Sequence, residues 1–273
     1  MLNSLQTKLL QMLKWFDEYC EKNGIHYYLA GGTMLGAVRH NGFIPWDDDI
    51  DLILPREDYE KLLSLFTEKQ DKYALEAPSS KDKRFLYSYA KLYDTTTTLV
   101  ENVRYKCKRG IYIDIFPLDG VGNTPEECEK HFARVDKTNM FLMTRTCAIR
   151  KGRSFYKNLF IIISRLIPNF IVNNKKLAKK VDRLASQKSF EESAYVANFM
   201  GAYRKKEIFN KSFLGEPTRY RFEDIYVNGV EHYDEYLTHI YGDWRKLPPA
   251  EKQVSHHDYI QMDLESSYLS HKE

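Results

Sequence analysis

Four aspartates, Asp47, Asp48, Asp49 and Asp51, crowd the mouth of the apolar run Ile50 to Pro55, shortly after the glycine pair Gly31-Gly32. Anions this close repel one another, so a compensating cation is expected. In an extended strand successive side chains alternate faces. Asp49 and Asp51 then share one face, while Ile50 and Leu52 take the other. Two carboxylates side by side on an apolar strand form a site for a hard divalent cation, Mg²⁺ or Mn²⁺, which keeps part of its water and bridges to substrate phosphates. Asp47 and Asp48 precede the strand and read as orienting the loop or holding water beside the cation.

A second acid centre lies in the stretch GIYIDIFPLDG, residues 110–120. Asp114 is a charge in a nearly apolar strand, and burying it is costly unless it is paired or metal-bound. Brought in from a neighbouring strand, it would complete a clamp of the kind that holds two metals roughly 3.5–4 Å apart during phosphoryl displacement. The expected metal ligands are therefore Asp49, Asp51 and Asp114. The glycine pair fits the same chemistry, because Gly31 and Gly32 follow a strand and open a helix whose N–H groups and dipole can approach a phosphate. Taken singly, an Asp-x-Asp pair often decorates a solvated turn, a Gly-Gly pair is often only a turn, and a lone buried Asp often accepts backbone hydrogen bonds. Their order along the chain favours one shared site.

The elements that must position these residues are legible in outline. Leu5, Leu9, Leu13, Phe16 and Cys20 recur at helical spacing, and Gly24 ends that helix. Residues 25–30 read as a strand, GGTMLGAVR as a tight turn into a helix, and residues 50–55 as a buried strand ending at Pro55, with a helix following to about Phe66. YALEA, FLYSYAKLY, TTTLVENV and GIYIDIFPL are further strands, rich in Tyr, Thr and Ile. Thr124 is an N-cap with Pro125 at the first helical position and Glu127 reaching back to close a capping box. The pattern is then helical and basic to about residue 188. YVANFM and YRFEDIYV look like later strands, and VEHYDEYLTHIYG is a short helix closed by Gly242. The fold class is thus α/β (α+β), a mixed-sheet core with a helical insertion. Its parts are a catalytic core over 1–123, a basic helical region over 124–190, and a C-terminal α/β return over 191–273 that packs on the core.

The chain has 273 residues, 43% of them hydrophobic and 29% charged, which is globular composition. No run reaches the ~18 apolar residues of a membrane-spanning helix, and the N-terminus lacks a signal-peptide pattern. The four cysteines show no zinc spacing and read as reduced thiols in a cytoplasmic protein. The formal charge of +3 hides an asymmetry: residues 137–188 carry 13 Lys and Arg against one acid, Asp182, a local +12. That segment asks for an anionic partner. Its apolar run Leu159–Ile163 is too short to span a bilayer; an interfacial helix in peripheral contact with an anionic membrane is one reading and a buried core helix the other.

The blocks GGTMLGAVRHNGFIPWDDDIDLILP, GIYIDIFPLDG and YGDWRKLPP resemble the LicD family of the nucleotidyltransferase-fold superfamily, over residues 24 to 249. The superfamily pattern falls on Gly31-Gly32-Thr33, on Asp49-Ile50-Asp51-Leu52 and on Ile113-Asp114-Ile115. The resemblance implies transfer of phosphocholine, or a similar alcohol phosphate, from CDP-choline or another CDP-alcohol to a hydroxyl of a bacterial surface glycan or its lipid-linked precursor. The residues by themselves reach only to metal-dependent transfer of a phosphate-containing group. A nucleotidyltransferase acting on a small molecule would use the same acids. A non-catalytic polyanion-binding protein would not need them, and no nucleic-acid-binding motif is present.

Asp114 is the expected general base. Gly31, Gly32, Thr33, Arg39 and Lys91 are the expected donor-binding residues, Arg39 through bidentate contact with a diphosphate. Asp94 is a weaker candidate for a ribose, His40 and Trp46 flank the acid loop, and His256-His257 either reach the site or belong to a solvated tail. Choline favours aromatic faces, and Tyr112 and Tyr28 are the nearest guesses for them.

Overall fold

The computed structural model describes residues 2–149, 153–255 and 257–270. Helix α1 (Ser4–Asn23) opens on a capping box between Asn3 and Gln6 and stops at Gly24, whose φ of 58° is left-handed. Its apolar face, Leu9, Met12, Leu13, Phe16 and Cys20, is fully buried, and each such side chain contributes about 1.5–3 kcal/mol. Strand β1 (Tyr28–Leu29) leads into α2 (Gly31–His40), then β2 (Asp51–Pro55), α3 (Arg56–Leu65), β3 (Tyr73–Glu76), β4 (Ala90–Asp94), β5 (Thr98–Glu101) and the long β6 (Tyr112–Gly122). Helices α4 (Pro125–Thr146), α5 (Phe155–Leu166) and α6 (Asn174–Ala185) follow, then β7 (Tyr195–Ala197), β8 (Ile208–Asn210), β9 (Thr218–Phe222), β10 (Ile225–Gly229), α7 (Tyr233–Tyr241) and β11 (Tyr259–Asp263).

The principal sheet is mixed, with strand order β1-β2-β6-β4-β3 and with β7 and β8 added beside the far half of β6. β2 and β6 are parallel; β1–β2, β4–β6, β3–β4 and β6–β7 are antiparallel. The α+β class follows directly. β6 is buried along its whole length, as a central strand covered on both faces requires. One hydrophobic cluster joins α1, the sheet and α7, and a second lies between α4, α6 and the β6–β7 edge.

An ion-pair cluster ties the two together. Arg56, at the start of α3, grips Asp119 of β6 through Nε (2.6 Å) and Nη2 (2.7 Å) and reaches Asp182 of α6 at 2.9 Å. Asp119 is fully buried. Asp119→Ala would leave that guanidinium with only the partly exposed Asp182, and removing one partner of a buried pair costs up to about 3–5 kcal/mol. A lowered denaturation midpoint in guanidinium chloride is the expected reading.

Several expected elements come out differently, each for a local reason. β1 is only two residues long: one more ladder bond runs from the Ala30 N–H to the Asp51 carbonyl at 3.0 Å, and at Gly31 the chain turns into α2. FLYSYAKLY is strand only from Ala90, where its pairing with β6 stops at Ile115; farther along its length β6 pairs with β7. YRFEDIYV is not one strand but the hairpin β9–β10, turning at Glu223 with φ 56°. Glu223 is held there by tertiary contacts, its N–H to the Asn41 carbonyl and its carboxylate to the Phe43 N–H. The box at α4 closes one residue early. Thr124 Oγ1 accepts from the Glu127 N–H, but the Glu127 carboxylate accepts from Asn123 rather than from Thr124.

Candidate functional site

The β2–β6–β4 register sets Asp51 opposite Asp114, and Asp114 opposite Lys91. Cross-strand partners point to the same face of a sheet, so the three form a row across the central strands. Asp49 differs from expectation, since β2 begins only at Asp51 and Asp49 stands in the loop before it. Its charge still reaches Asp51: burial raises the Asp51 carboxyl well above the usual range, with Asp49 and then Asp114 adding to the rise. Asp47 is pushed up to about 8, by burial first and then by Asp49.

The acid loop is tied down from three sides. Gln6 of α1 donates to the Asp47 carbonyl at 2.9 Å, Thr33 Oγ1 accepts the Asp51 N–H at 2.9 Å, and the Asp114 N–H donates to the Ile50 carbonyl at 3.0 Å. The two glycines are needed for different reasons. Gly31 has φ +48°, and at Gly32 a Cβ would stand 2.9 Å from Asp47 Oδ2. The Gly31 N–H, expected to face a phosphate, donates to the Tyr236 hydroxyl at 3.2 Å.

Asp114 is 8% exposed, and its carboxyl is pushed up to about 6 by burial, against the pull of Lys91. Lys91 Nζ stands 3.2 Å from Asp114 Oδ1 but outside hydrogen-bond geometry, so that buried oxygen keeps an unfilled acceptor position. The lysine is itself enclosed, 3.3 Å from Glu101 Oε1 and over the rings of Tyr112 (3.4 Å) and Tyr87 (4.2 Å). No sequence pattern marks Glu101 as a member of this site. Although burial opposes it, Lys91 and the hydroxyls of Tyr87 and Tyr112 hold its carboxyl below the usual range. A cavity of about 220 Å³ opens alongside, walled by Tyr87, Tyr89, Tyr93, Glu101, Leu142 and Met143 among others.

Other expected residues lie elsewhere. Arg39 makes no ion pair with the acids among the described residues; its Nη1 donates to the Trp244 carbonyl at 2.9 Å and its Nε to His40 at 3.0 Å. Asp94 is fully buried and holds Thr96 and Lys72. Trp46 packs edge-on to His40. Tyr28 donates to the Gly215 carbonyl, and the face of Tyr112 is already covered by Lys91.

The principal surprise is His257; His256 lies outside the described residues. β11 pairs with β5 and draws the preceding segment over the acid loop. There His257 Nδ1 lies 2.8 Å from Asp48 Oδ1 and Nε2 lies 3.6 Å from Asp49 Oδ2, while Ser255 donates to Asp48 at 2.7 Å. Asp48, Asp49 and His257 can each offer a ligand atom within 4.8 Å of the others. This candidate cation group shares Asp49 with the expected trio, takes in Asp48 and leaves Asp51 and Asp114 beside it. Two carboxylates and an imidazole could hold a divalent cation. Burial lowers the His257 pKa, but Asp48 and Asp49 outweigh it and raise it to about 9. The ring is therefore a cation at neutral pH and partly answers the repulsion among the acids.

The LicD/FKTN/FKRP nucleotidyltransferase-domain family matches residues 24–146, which contain all of these acids. The lipopolysaccharide cholinephosphotransferase LicD of Haemophilus influenzae is 30% identical over 94% of this chain and 96% of its own length. The chain is a member of the LicD family. A shorter likeness, 53% identical over 38 residues, joins this LicD-family chain to the human ribitol 5-phosphate transferase FKRP, over 14% of the chain and 8% of that protein. The mannosyltransferase regulator 4 of Saccharomyces cerevisiae is 27% identical over 121 residues, 41% of the chain and 10% of its own length.

Metal ligation needs a neutral imidazole, so at this candidate group a proton and a metal would compete for His257. Manganese affinity of this LicD-family chain should rise with pH through neutrality and level off above about 9. The slope is at most about tenfold per pH unit for one proton released. His257→Gln should flatten it, and calorimetric Mn²⁺ titrations at several pH values read both. An unchanged slope in the variant removes His257 from the metal site.

Proposed function

We propose that this chain is a divalent-metal-dependent phosphotransferase. It moves phosphocholine, or a similar alcohol phosphate, from a CDP-alcohol such as CDP-choline to a hydroxyl of a cell-surface glycan or its lipid-linked precursor, and releases CMP. The observation that carries this reading is the row Asp51–Asp114–Lys91 across β2, β6 and β4 beside the Asp48–Asp49–His257 group. The likeness over nearly the whole chain to a cholinephosphotransferase supports the donor and the acceptor class.

Bound Mg²⁺ or Mn²⁺, held by Asp49 with Asp48, His257, Asp51 and Asp114 around it, would neutralise the donor diphosphate and the charge that develops on the leaving CMP. Asp114 takes the proton of the acceptor hydroxyl. With its pKa near 6 it is ionised at neutral pH and still basic enough to accept. The acceptor oxygen forms a bond to the choline-bearing phosphorus; the bond from that phosphorus to the CMP oxygen breaks, and its electron pair leaves with CMP. Lys91, fixed by Glu101, holds Asp114 in place. The donor diphosphate lies against the start of α2, where Gly32 and Thr33 contribute first-turn N–H groups; the Thr33 hydroxyl oxygen accepts the Asp51 N–H, which leaves its O–H free to donate. The cavity, with Tyr89 and Tyr93 in its wall, offers aromatic faces of the kind a quaternary ammonium prefers.

A panel of CDP-choline, CDP-ribitol and CDP-glycerol, each with Mn²⁺ and with or without candidate glycans, tests the reading. Acceptor-dependent CMP release from one member supports it. Pyrophosphate release from a nucleoside triphosphate, with no CMP from any member, would make the protein a nucleotidyltransferase.

A further inference from the structure

Helix α5 presents its apolar side to solvent. Within it only Ile161 and Ser164 are buried, whereas Phe155, Tyr156, Phe160 and Leu166 are between 60% and 79% exposed. Phe170 and Ile171, in the turn that follows, are 88% and 64% exposed. At 100° per residue the exposed apolar side chains of α5 fall on one continuous arc, and a contiguous patch of this kind marks an interaction surface.

The helix is held in this orientation. Arg145 of α4 is 1% exposed, and its guanidinium donates to the carbonyls of Ser164, Ile167 (3.0 Å) and Val172 (3.2 Å) and to Asn174 Oδ1 (2.7 Å). These carbonyls include ones that the end of α5 leaves without helical partners. Arg165 binds the Cys147 carbonyl at 2.7 Å from the other side. A buried guanidinium is expensive to desolvate, and here it fixes both the helix end and the Phe170 turn.

Charge decides between occupants. The segment 137–188 carries a net +12, and its one acid, Asp182, is already paired with Arg56 at 2.9 Å. Lys157, Lys176, Lys179 and Lys180 are exposed. A second copy would set like charge against like across a two-fold interface. An anionic lipid leaflet complements both the apolar arc and the lysines.

We propose that α5 and the turn through Ile171 dock this chain on an anionic lipid surface, with the apolar face among the headgroups and upper acyl chains and the lysines on lipid phosphates. No helix among the described residues is long and apolar enough to cross a membrane, so the contact is interfacial, reversible and weakened by salt. It neither uses nor tests the reaction proposed above.

Cosedimentation with equimolar phosphatidylglycerol–phosphatidylcholine vesicles, against phosphatidylcholine vesicles alone, tests the proposal. Wild-type protein should bind the anionic vesicles at low ionic strength and be released by salt. The double variant Phe160→Asp, Leu166→Asp, altered only at exposed positions and checked by circular dichroism, should bind about tenfold or more weakly. Lys176→Gln, Lys179→Gln, Lys180→Gln should do the same through the electrostatic part. Wild-type protein that ignores anionic vesicles at low salt overturns the proposal, as does equal binding by the Asp variant. A dimer in sedimentation equilibrium that the Asp variant abolishes, without vesicle binding by wild type, would give the face to a second copy instead.

Discussion

Asp114→Asn should lower the maximal rate of phosphocholine transfer by about 10²–10⁴-fold, the usual contribution of a general base, while leaving affinity for CDP-choline nearly unchanged. The split between rate and affinity is what matters. Asp114 sits between Lys91 at 3.2 Å and its register neighbour Asp51, so the amide variant keeps the shape of the site and loses the proton acceptor. Burial brings the wild-type carboxyl to about 6. Where it acts as base, the rate should fall as pH drops through that value, and the variant should lose this limb of the profile. Steady-state kinetics with saturating Mn²⁺, together with donor affinity by calorimetry, separates the outcomes. A variant that binds donor poorly yet turns over at full rate would make Asp114 a binding residue only.

Asp51→Asn and Asp49→Asn should each abolish measurable turnover while the fold persists, and in metal-free protein Asp51→Asn should be the more stable form at neutral pH. The argument rests on the sign of the Asp51 shift. Burial and the charges of Asp49 and Asp114 raise its folded-state pKa well above the ordinary 3.8. Such a carboxylate opposes folding least when protonated, and stability is lost as pH rises from the unfolded value through the folded one. Asparagine removes that loss. The gain in melting temperature should therefore be present at pH 7, amount to a few degrees for a chain of this size, and vanish toward pH 4. Added Mn²⁺ should narrow or reverse the order, since wild type, with Asp51 beside the Asp48–Asp49–His257 group, gains more stability from binding than the variant. Melting curves at two pH values, with and without metal, show all of this. Full activity in either variant would take that aspartate out of the metal site.

What the sequence reveals is the part written in local pattern. Alternation and apolar runs mark β2 and β6, and a charge in such a run stands out, which is why Asp51 and Asp114 are visible from spacing alone. The pairing that sets them side by side is parallel and non-local, and only the need of a buried acid for a partner hints at it. His257 shows the limit. The His-His pair is visible, but its place over Asp48 depends on β11 pairing with β5, and β11 is half-exposed, without the alternation that announces a strand. Glu101 is hidden likewise, since its roles toward Lys91 and Tyr112 come from the folding of β5 back beside β4 and β6. Arg39 shows the same limit: an arginine shortly before an acid loop looks like a phosphate ligand, while the Trp244 carbonyl that accepts from its Nη1 arrives from a segment 205 residues away in sequence. The inverted face of α5 could be read as apolar, but not as exposed, because the buried Arg145 that fixes it lies on another helix.

The most direct measurement is the mass of a defined glycan acceptor after incubation with CDP-choline and Mn²⁺, with nucleotide products quantified in the same sample. The account predicts an acceptor heavier by one phosphocholine, CMP in equal amount, and loss of both on chelation by EDTA or in Asp51→Asn. An acceptor that gains a nucleotide, or phosphocholine transfer undiminished by chelation, would contradict it.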